Sequence, residues 1–594
     1  MNSAKKIRSE EIASIPPKLN TLSCELSDRE RDAVRGEVDA WTKSDKLRSI
    51  WSRDSAVWMC SGEEKWLGWL DIARRQLQMC GEIGKFAEGV RDEGFRDIVL
   101  LGMGGSSLCA EVLAKTFNGP GVSPGYPKLR IMDSTDPGQI QDLEETLSLE
   151  DTFFIVSSKS GSTLEPNILL DYFFDRVERV VGKAAVGNYF IAITDPGSSL
   201  EARAKNSGFR EVFHGDPEIG GRYSILSNFG MVPATLMGIN VQVLLESTLL
   251  MVRACGKDAP PSLNAALYLG AVLGTLGKLG RDKVTIICST ELSGFGDWVE
   301  QLLAESTGKE GKGLIPVNEE EIQSSEKYGS DRLFVYMRLE SGADFVLDAK
   351  MDALGRAGQP VVRISVPNIY QLGQEFFRWE MAVAIAGSVM GINPFDQPDV
   401  EASKIETRAL TAQFEKSGSL PVEKPIFESE AFEVFGDSAR FTALLGTPAA
   451  NLRASDFIRA HLNLIEPGDY FAMLAYVNMN RSNNEILQGL RNRVLCNKKV
   501  ATCLEFGPRF LHSTGQVYKG GPNTGVFLQI TGKDSTDIPI PGHRYSFGLV
   551  KSAEARGDYQ VLTERGRRVL RVHLKQFPVS GLDSLRKEME KAIA

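Results

Sequence analysis

The sequence predicts an α/β protein built from two doubly wound parallel-sheet domains behind an N-terminal helical preface. Three observations predict it. Short β-rich runs alternate with helical stretches from Asp97 onward, a second alternation of the same kind begins at Lys283, and two of the early strands end in runs of glycine or small hydroxyl residues.

In chain order, residues 1–25 read as a flexible lead-in. Residues 28–90 carry apolar and aromatic residues at helical spacing and no strong strand signal, so 1–90 is lead-in plus helical preface. DIVLLG, KLRIMDST, DTFFIVSS and NYFIAITD then supply the strands of a first domain over 91–250. KVTIICS, RLFVYMRL, PVVRISV, DYFAMLAYV, ATCLEFG and GVFLQIT supply those of a second over 260–594, with a polar, Pro-containing stretch around 417–430 inside it. No repeat of fixed period and no low-complexity tract interrupts this order.

Composition narrows the function classes. The chain has 594 residues, 42% hydrophobic and 24% charged, which suits a globular protein with large cores. A net charge of −9 argues against a nucleic-acid or membrane-surface binder, because both use clustered cations to neutralise phosphates. Any anionic ligand must be held locally. The eight cysteines form no CxxC pair and are too sparse for a disulfide scaffold, so they read as reduced, mostly buried thiols. The opening MNSAKKIRSEEIAS lacks the apolar core of a signal peptide, and the apolar segment at Met381 is too short to span a bilayer; a cytoplasmic protein is expected. No HxH, HExxH or Cys/His cluster has metal-ligand spacing, and no cofactor is expected.

The chemistry concentrates at strand ends. The first strand runs into Gly102-Met103-Gly104-Gly105-Ser106-Ser107, which fails the dinucleotide fingerprint because the third glycine would fall at Ser107. A glycine-rich strand-to-helix turn still presents backbone N–H groups to an anion, although tight packing alone also asks for glycines. A second strand ends in Ser157-Ser158-Lys159-Ser160-Gly161-Ser162-Thr163, followed by Glu165 in the expected first helical turn. Helix capping by Ser162 or Thr163 accounts for one hydroxyl, not for five. Hydroxyls and N–H groups at the carboxyl edge of one sheet suit a tetrahedral phosphate.

The segment S-K-S-G-S-T-x-E resembles the phosphate loop of the sugar-isomerase (SIS) family. Three further segments narrow the resemblance to phosphoglucose isomerase: Gly220-Gly221-Arg222-Tyr223-Ser224, Gln301 to Lys309 (QLLAESTGK), and Asn393 to Glu401 (NPFDQPDVE) with Lys404 beyond. Residues 50–410 carry it best. Downstream, PRFLHSTGQVYKGGPNTGVFLQIT is similar to the isomerase half of bifunctional transaldolase/phosphoglucose isomerase fusions. The transaldolase half is not expected here, since only about 100 residues precede Gly102 and a (β/α)8 barrel takes roughly 250.

The resemblance implies two SIS-type domains, the second with a rearranged C-terminal extension, and a metal-independent isomerase interconverting glucose 6-phosphate and fructose 6-phosphate. It implies Gly105, Ser106, Ser158, Lys159, Ser160 and Thr163 at the phosphate, and Gln397 orienting the substrate. Proton transfer between adjacent carbons needs one carboxylate near both, and Glu305 is the candidate, against the usual surface role of a helix glutamate. Arg222 is the candidate stabiliser of the enediolate, against an arginine that only ties down a loop. Ring opening falls to Lys404 and a histidine. The family's histidine lies between the glutamate and the glutamine-lysine motif, and this sequence has none there. Of His214, His461, His512, His543 and His573, only His512 has the His-Ser-x-x-Gln context, and His214 competes by its closeness to Arg222. Alternatives are an isomerase of another phosphosugar such as mannose 6-phosphate, or a non-catalytic sugar-phosphate sensor, which the joint presence of Glu305, Arg222 and Lys404 disfavours. A homodimer is what the family leads one to expect.

Overall fold

The computed structural model describes residues 18–117, 125–342, 344–446 and 452–593. Residues 1–17 of the expected lead-in therefore lie outside the described residues. The chain divides into two compact units. The first takes residues up to Asp133, Leu147–Thr307 and Leu333–Asp396; the second takes Ser134–Thr146, Gly308–Arg332 and Gln397–Ala594.

The first unit opens differently from the expectation. Thr21–Glu25 is not lead-in but an edge strand, antiparallel to Val361–Val366, and the adjoining Asn20 is buried. Asn20 Nδ2 donates to Gln371 O at 2.9 Å and to Glu375 Oε1 at 2.8 Å. Alternation over five residues is a weak signal beside the charged run that precedes it. The helical preface follows as expected. Asp28–Ser44 starts with a capping box, in which Glu30 N donates to Ser27 Oγ at 3.4 Å and Ser27 N to Glu30 Oε2 at 3.0 Å.

The central sheet of this unit has the order Lys128–Met132, Asp97–Leu101, Thr152–Ser157, Phe190–Thr194, Glu211–His214, parallel throughout. Thr152–Ser157 is buried along its whole length, which is why it reads as a continuous apolar run rather than an alternating one. Ile98, Leu100, Phe153 and Ile155 pack with Ile83, Ala87 and Val90 of the preface helix Ile72–Asp92. The sequence winds from Asp97–Leu101 out to Lys128–Met132, then back past its start to Thr152–Ser157. The winding thus reverses between the two strands that carry the glycine and hydroxyl runs. A second sheet in this unit orders Thr21–Glu25, Val361–Val366, Arg332–Leu339 and Lys283–Cys288.

The expected single domain over 260–594 divides. Its earlier strands belong to the first unit, whereas strands from Phe427 onward build a separate sheet in the second, ordered Phe427–Glu428, Phe432–Phe435, Arg568–Leu574, Gly525–Gly532, Tyr470–Tyr476, Ala501–Phe506. Its last four strands are parallel. This sheet has its own core, where Phe471, Met473, Leu528 and Val572 meet Phe457, Ile458, Leu582 and Leu585. β/α alternation continues unbroken across both sheets, so the sequence does not reveal which strands share one. Among the described residues, no helix is long and apolar enough to cross a membrane.

Candidate active site

In the first unit the glycine turn and the hydroxyl loop sit at the carboxyl ends of adjacent strands, where open α/β sheets bind ligands. Ser157 Oγ donates to Ser106 O at 2.7 Å and ties the two together. Gly104 has φ +57°, a conformation that favours glycine. A Cβ on Gly105 would lie 2.2 Å from Gly221 O, so the turn must be bare there for the Gly-Gly-Arg segment to pass. Two motifs distant in sequence are glycine-rich for the same close approach.

The hydroxyl loop is not spent on capping. Thr163 is the N-cap residue of the helix Leu164–Val181, yet its side chain makes no capping hydrogen bond. Ser160 Oγ lies 3.5 Å from Thr163 Oγ1 and 3.1 Å from Ser162 Oγ, so three hydroxyls cluster at the loop's exposed face. Ser158 Oγ is buried with no hydrogen-bond partner among the described residues, an arrangement that costs about 1–3 kcal/mol unless a ligand or water meets it.

Lys159, expected among the ligand-binding groups, has partners within the protein. Its Nζ is committed to Asp195 Oδ2 at 2.5 Å and Asp216 O at 2.8 Å, and Asp195 N in turn donates to Lys159 O at 3.1 Å. The residue braces the loop against the end of the neighbouring strand. Burial pushes the Asp195 carboxyl up, with Lys159 pulling the other way.

Arg222 and Glu305 meet. Arg222, 1% exposed, donates from Nη1 to Glu305 Oε2 at 3.1 Å, from Nε to Ser306 Oγ at 2.9 Å, and from Nη2 to the carbonyls of Pro394 at 2.8 Å and Asp396 at 3.0 Å. Glu305 is also buried, on the helix Ser293–Thr307, and its Oε1 accepts from Gln301 Nε2 at 3.3 Å, one turn earlier. This is a guanidinium fixed on all sides beside a nearly dry carboxylate, not a surface glutamate and not a simple loop tie. Ser306 was not among the expected site residues. Its position directly after Glu305 places it a helical step away, the one signal that could have found it.

Gln397, Lys404 and His512 belong to the second unit. Gln397 is the exposed N-cap residue of the helix Pro398–Ser417, and Lys404 lies nearly two turns in, its Nζ 3.6 Å from Glu401 Oε2. His512 is buried at the end of the turn Arg509–His512, after the strand Ala501–Phe506. That turn and the helix Gly515–Gly520 pack against the Lys404 helix. Gln516 makes the joint: its Oε1 accepts from Asp399 N at 3.0 Å and Val400 N at 3.2 Å, and its Nε2 donates to Asp399 Oδ2 at 2.8 Å. The other histidines are engaged elsewhere. His214, the competitor, lies 3.1 Å from Glu201 Oε1 at the surface, and His461 Nε2 is buried 2.9 Å from Phe527 O.

The sequence profile of the phosphoglucose isomerase family matches residues 74–324, a span that contains the glycine turn, the hydroxyl loop, Arg222 and Glu305 but not Gln397, Lys404 or His512. The glucose-6-phosphate isomerase of Rubrobacter xylanophilus is 27% identical over 386 residues, which is 57% of this chain and 87% of that protein. A crystal structure from Thermus thermophilus, described only as a hypothetical protein, superposes with a TM-score of 0.57 at 24% identity and covers 66% of this chain and 99% of its own. The glucose-6-phosphate isomerase structure from Chlamydia trachomatis gives 0.55 at 20% identity, over 66% of this chain and 87% of that one; both show the shared fold. The motifs, the fixed Arg222–Glu305 pair and the profile fall on the same stretch: over residues 74–324 this chain is similar to the phosphoglucose isomerase family.

Proposed function

We propose that this chain interconverts glucose 6-phosphate and fructose 6-phosphate through an enediolate intermediate. The observation that carries the reading is the buried Arg222–Glu305 pair, with its 3.1 Å contact. Aldose–ketose isomerisation moves one proton between neighbouring carbons. Glu305 takes it from C2 of the open-chain aldose and returns it to C1, while the C1 aldehyde becomes an alcohol and C2 a ketone. Negative charge develops on the enediolate oxygens in between. Arg222, held by Ser306 and two carbonyls, needs no reorganisation to meet that charge.

Ser106, Ser158, Ser160 and Thr163 hold the phosphate, with the bare backbone of Gly105 beside them, and Lys159 keeps the loop in shape. His512 and Lys404 open the pyranose ring by moving protons between its oxygens, and Gln397 orients the chain once open. A cytoplasmic homodimer accompanies the reading, and sedimentation of the purified chain checks the dimer. Function is tested by presenting fructose 6-phosphate and following glucose 6-phosphate with a coupled dehydrogenase, alongside mannose 6-phosphate. No product from fructose 6-phosphate overturns the proposal.

A further inference from the structure

The sheet of the second unit repeats the connectivity of the sheet that carries the hydroxyl loop. There the chain runs from Tyr470–Tyr476 out to Ala501–Phe506, then back past its start to Gly525–Gly532, with Arg568–Leu574 next. The winding reverses between Tyr470–Tyr476 and Gly525–Gly532, and the crevice beyond the carboxyl ends of two such strands is where open α/β sheets bind ligands. A cavity of about 570 Å³ opens there, with Tyr476, Thr531, Gly532 and His573 in its wall. None of its lining residues belongs to the set assigned to the isomerase reaction.

Two guanidiniums in that wall share one carboxylate. Glu423 lies 2.9 Å from Arg556 Nε and 2.8 Å from Arg571 Nη2. Arg571 is 3% exposed and fixed, its guanidinium carbon 4.0 Å from the Phe435 ring centre and 4.7 Å from that of Tyr559. Lys533, at the exit of Gly525–Gly532, adds an exposed ammonium. The acids across the cavity have partners of their own: Asp534 pairs with Lys551, and Asp537 accepts from Ser546 Oγ at 2.5 Å and Gly548 N at 2.8 Å. Glu433 is the remaining carboxylate of the wall. His573 Nδ1 lies 2.9 Å from Thr531 Oγ1, and burial, then Arg571 and Arg556, bring its ring down to about 4, which leaves a neutral hydrogen-bonding group beside the two cations.

We propose that this cavity is a second ligand site, which takes a small phosphorylated metabolite by its phosphate on Arg556 and Arg571. Planar guanidiniums match phosphate oxygens, and the two arginines with Lys533 outnumber Glu423 and Glu433, the carboxylates of the wall not paired elsewhere, which leaves attraction for an anion.

Equilibrium dialysis of the full chain against radiolabelled inorganic phosphate tests the site. Two phosphates per chain are expected. Arg556→Ala weakens one by about ten- to hundredfold, the loss of a charge-assisted contact. Ser160→Glu, which brings a negative charge into the hydroxyl loop, removes the other. Should Arg556→Ala unfold, Lys533→Glu alters an exposed side chain and weakens the same phosphate. A single phosphate that is lost on Ser160→Glu overturns the second site, as does a second phosphate indifferent to both Arg556→Ala and Lys533→Glu. A lone phosphate sensitive to Arg556→Ala but not to Ser160→Glu supports this site and counts against the phosphate loop assigned above.

Discussion

Glu305→Gln separates the chemistry at the Arg222 pair from its contribution to stability. The amide keeps the shape of the carboxylate and its oxygen can still accept from Arg222, at 3.1 Å, but its NH2 then faces the Gln301 Nε2 that donates to the carboxylate at 3.3 Å, so the Gln301 amide must turn over, and the charge and the basicity are lost. A hydrogen bond to a charged group is worth about 1.5–3 kcal/mol and a neutral one about 0.5–1.5, so the fold loses roughly 1–1.5 kcal/mol. Arg222 keeps its bonds to Ser306, Pro394 and Asp396, which limits the damage. The melting temperature should fall by no more than about 5 °C. Activity should fall much further, by on the order of 10²–10⁴, which is about 3–5 kcal/mol of barrier. KM should hardly move, because no part of the phosphate loop changes. The assay is formation of glucose 6-phosphate from fructose 6-phosphate, with exchange of the C2 hydrogen for solvent deuterium measured beside it. A folded variant that retains activity within tenfold of the parent, or exchanges C2 hydrogen at the parental rate, refutes Glu305 as the base.

Three further outcomes follow from the structure. If Thr163 holds the phosphate as proposed, Thr163→Ala should raise KM with little change in kcat, since such a contact is made in ground and transition states alike, and the hydroxyl makes no capping bond whose loss could unfold the helix; parental KM in steady-state kinetics counts against the loop. His512→Ala should slow turnover of the cyclic sugar by about 10²–10⁴ while sparing an acyclic four-carbon phosphosugar, and His214→Ala should do neither; the reverse pattern removes His512 from the site. For His461, burial lowers the ring to about 4, below its unfolded value near 6.5, so its contribution to stability is present above pH 6.5 and is lost as pH falls through 4. The stability gap between parent and His461→Gln, read from denaturant melts, should therefore shrink by about 1–3 kcal/mol from pH 7 to pH 4.5, and a constant gap refutes the buried neutral ring.

What the sequence made legible is what local chemistry alone specifies. The glycine turn and the hydroxyl loop stand out because a strand end has no structural use for so many bare or hydroxylated residues, and the structure places both at the same edge. What it did not reveal is all of long range. Lys159 pairs with Asp195, and nothing in either segment announces that pairing. The contacts of Ser306 and Gln516 escape notice because their partners, Arg222 and the start of the Lys404 helix, are remote in sequence. The strand Thr21–Glu25 depends on an edge offered by Val361–Val366, which its five residues do not foretell.

The segment around His512 shows the same long-range logic. His512 reaches its place through a segment, His-Ser-Thr-Gly-Gln, whose last residue caps the helix that carries Lys404. Gln516 satisfies two first-turn N–H groups of that helix, for which the N-cap residue Gln397 supplies no side-chain acceptor, and bonds the Asp399 side chain in the same turn. Further along, a Cβ on Gly520 would stand 2.1 Å from Asp399 Oδ2, so the approach is close enough to exclude any side chain there. The histidine and the lysine are thus positioned by one packed joint inside the second unit. If His512 opens the ring with Lys404, as proposed, Gln516 is the residue that keeps the two segments together.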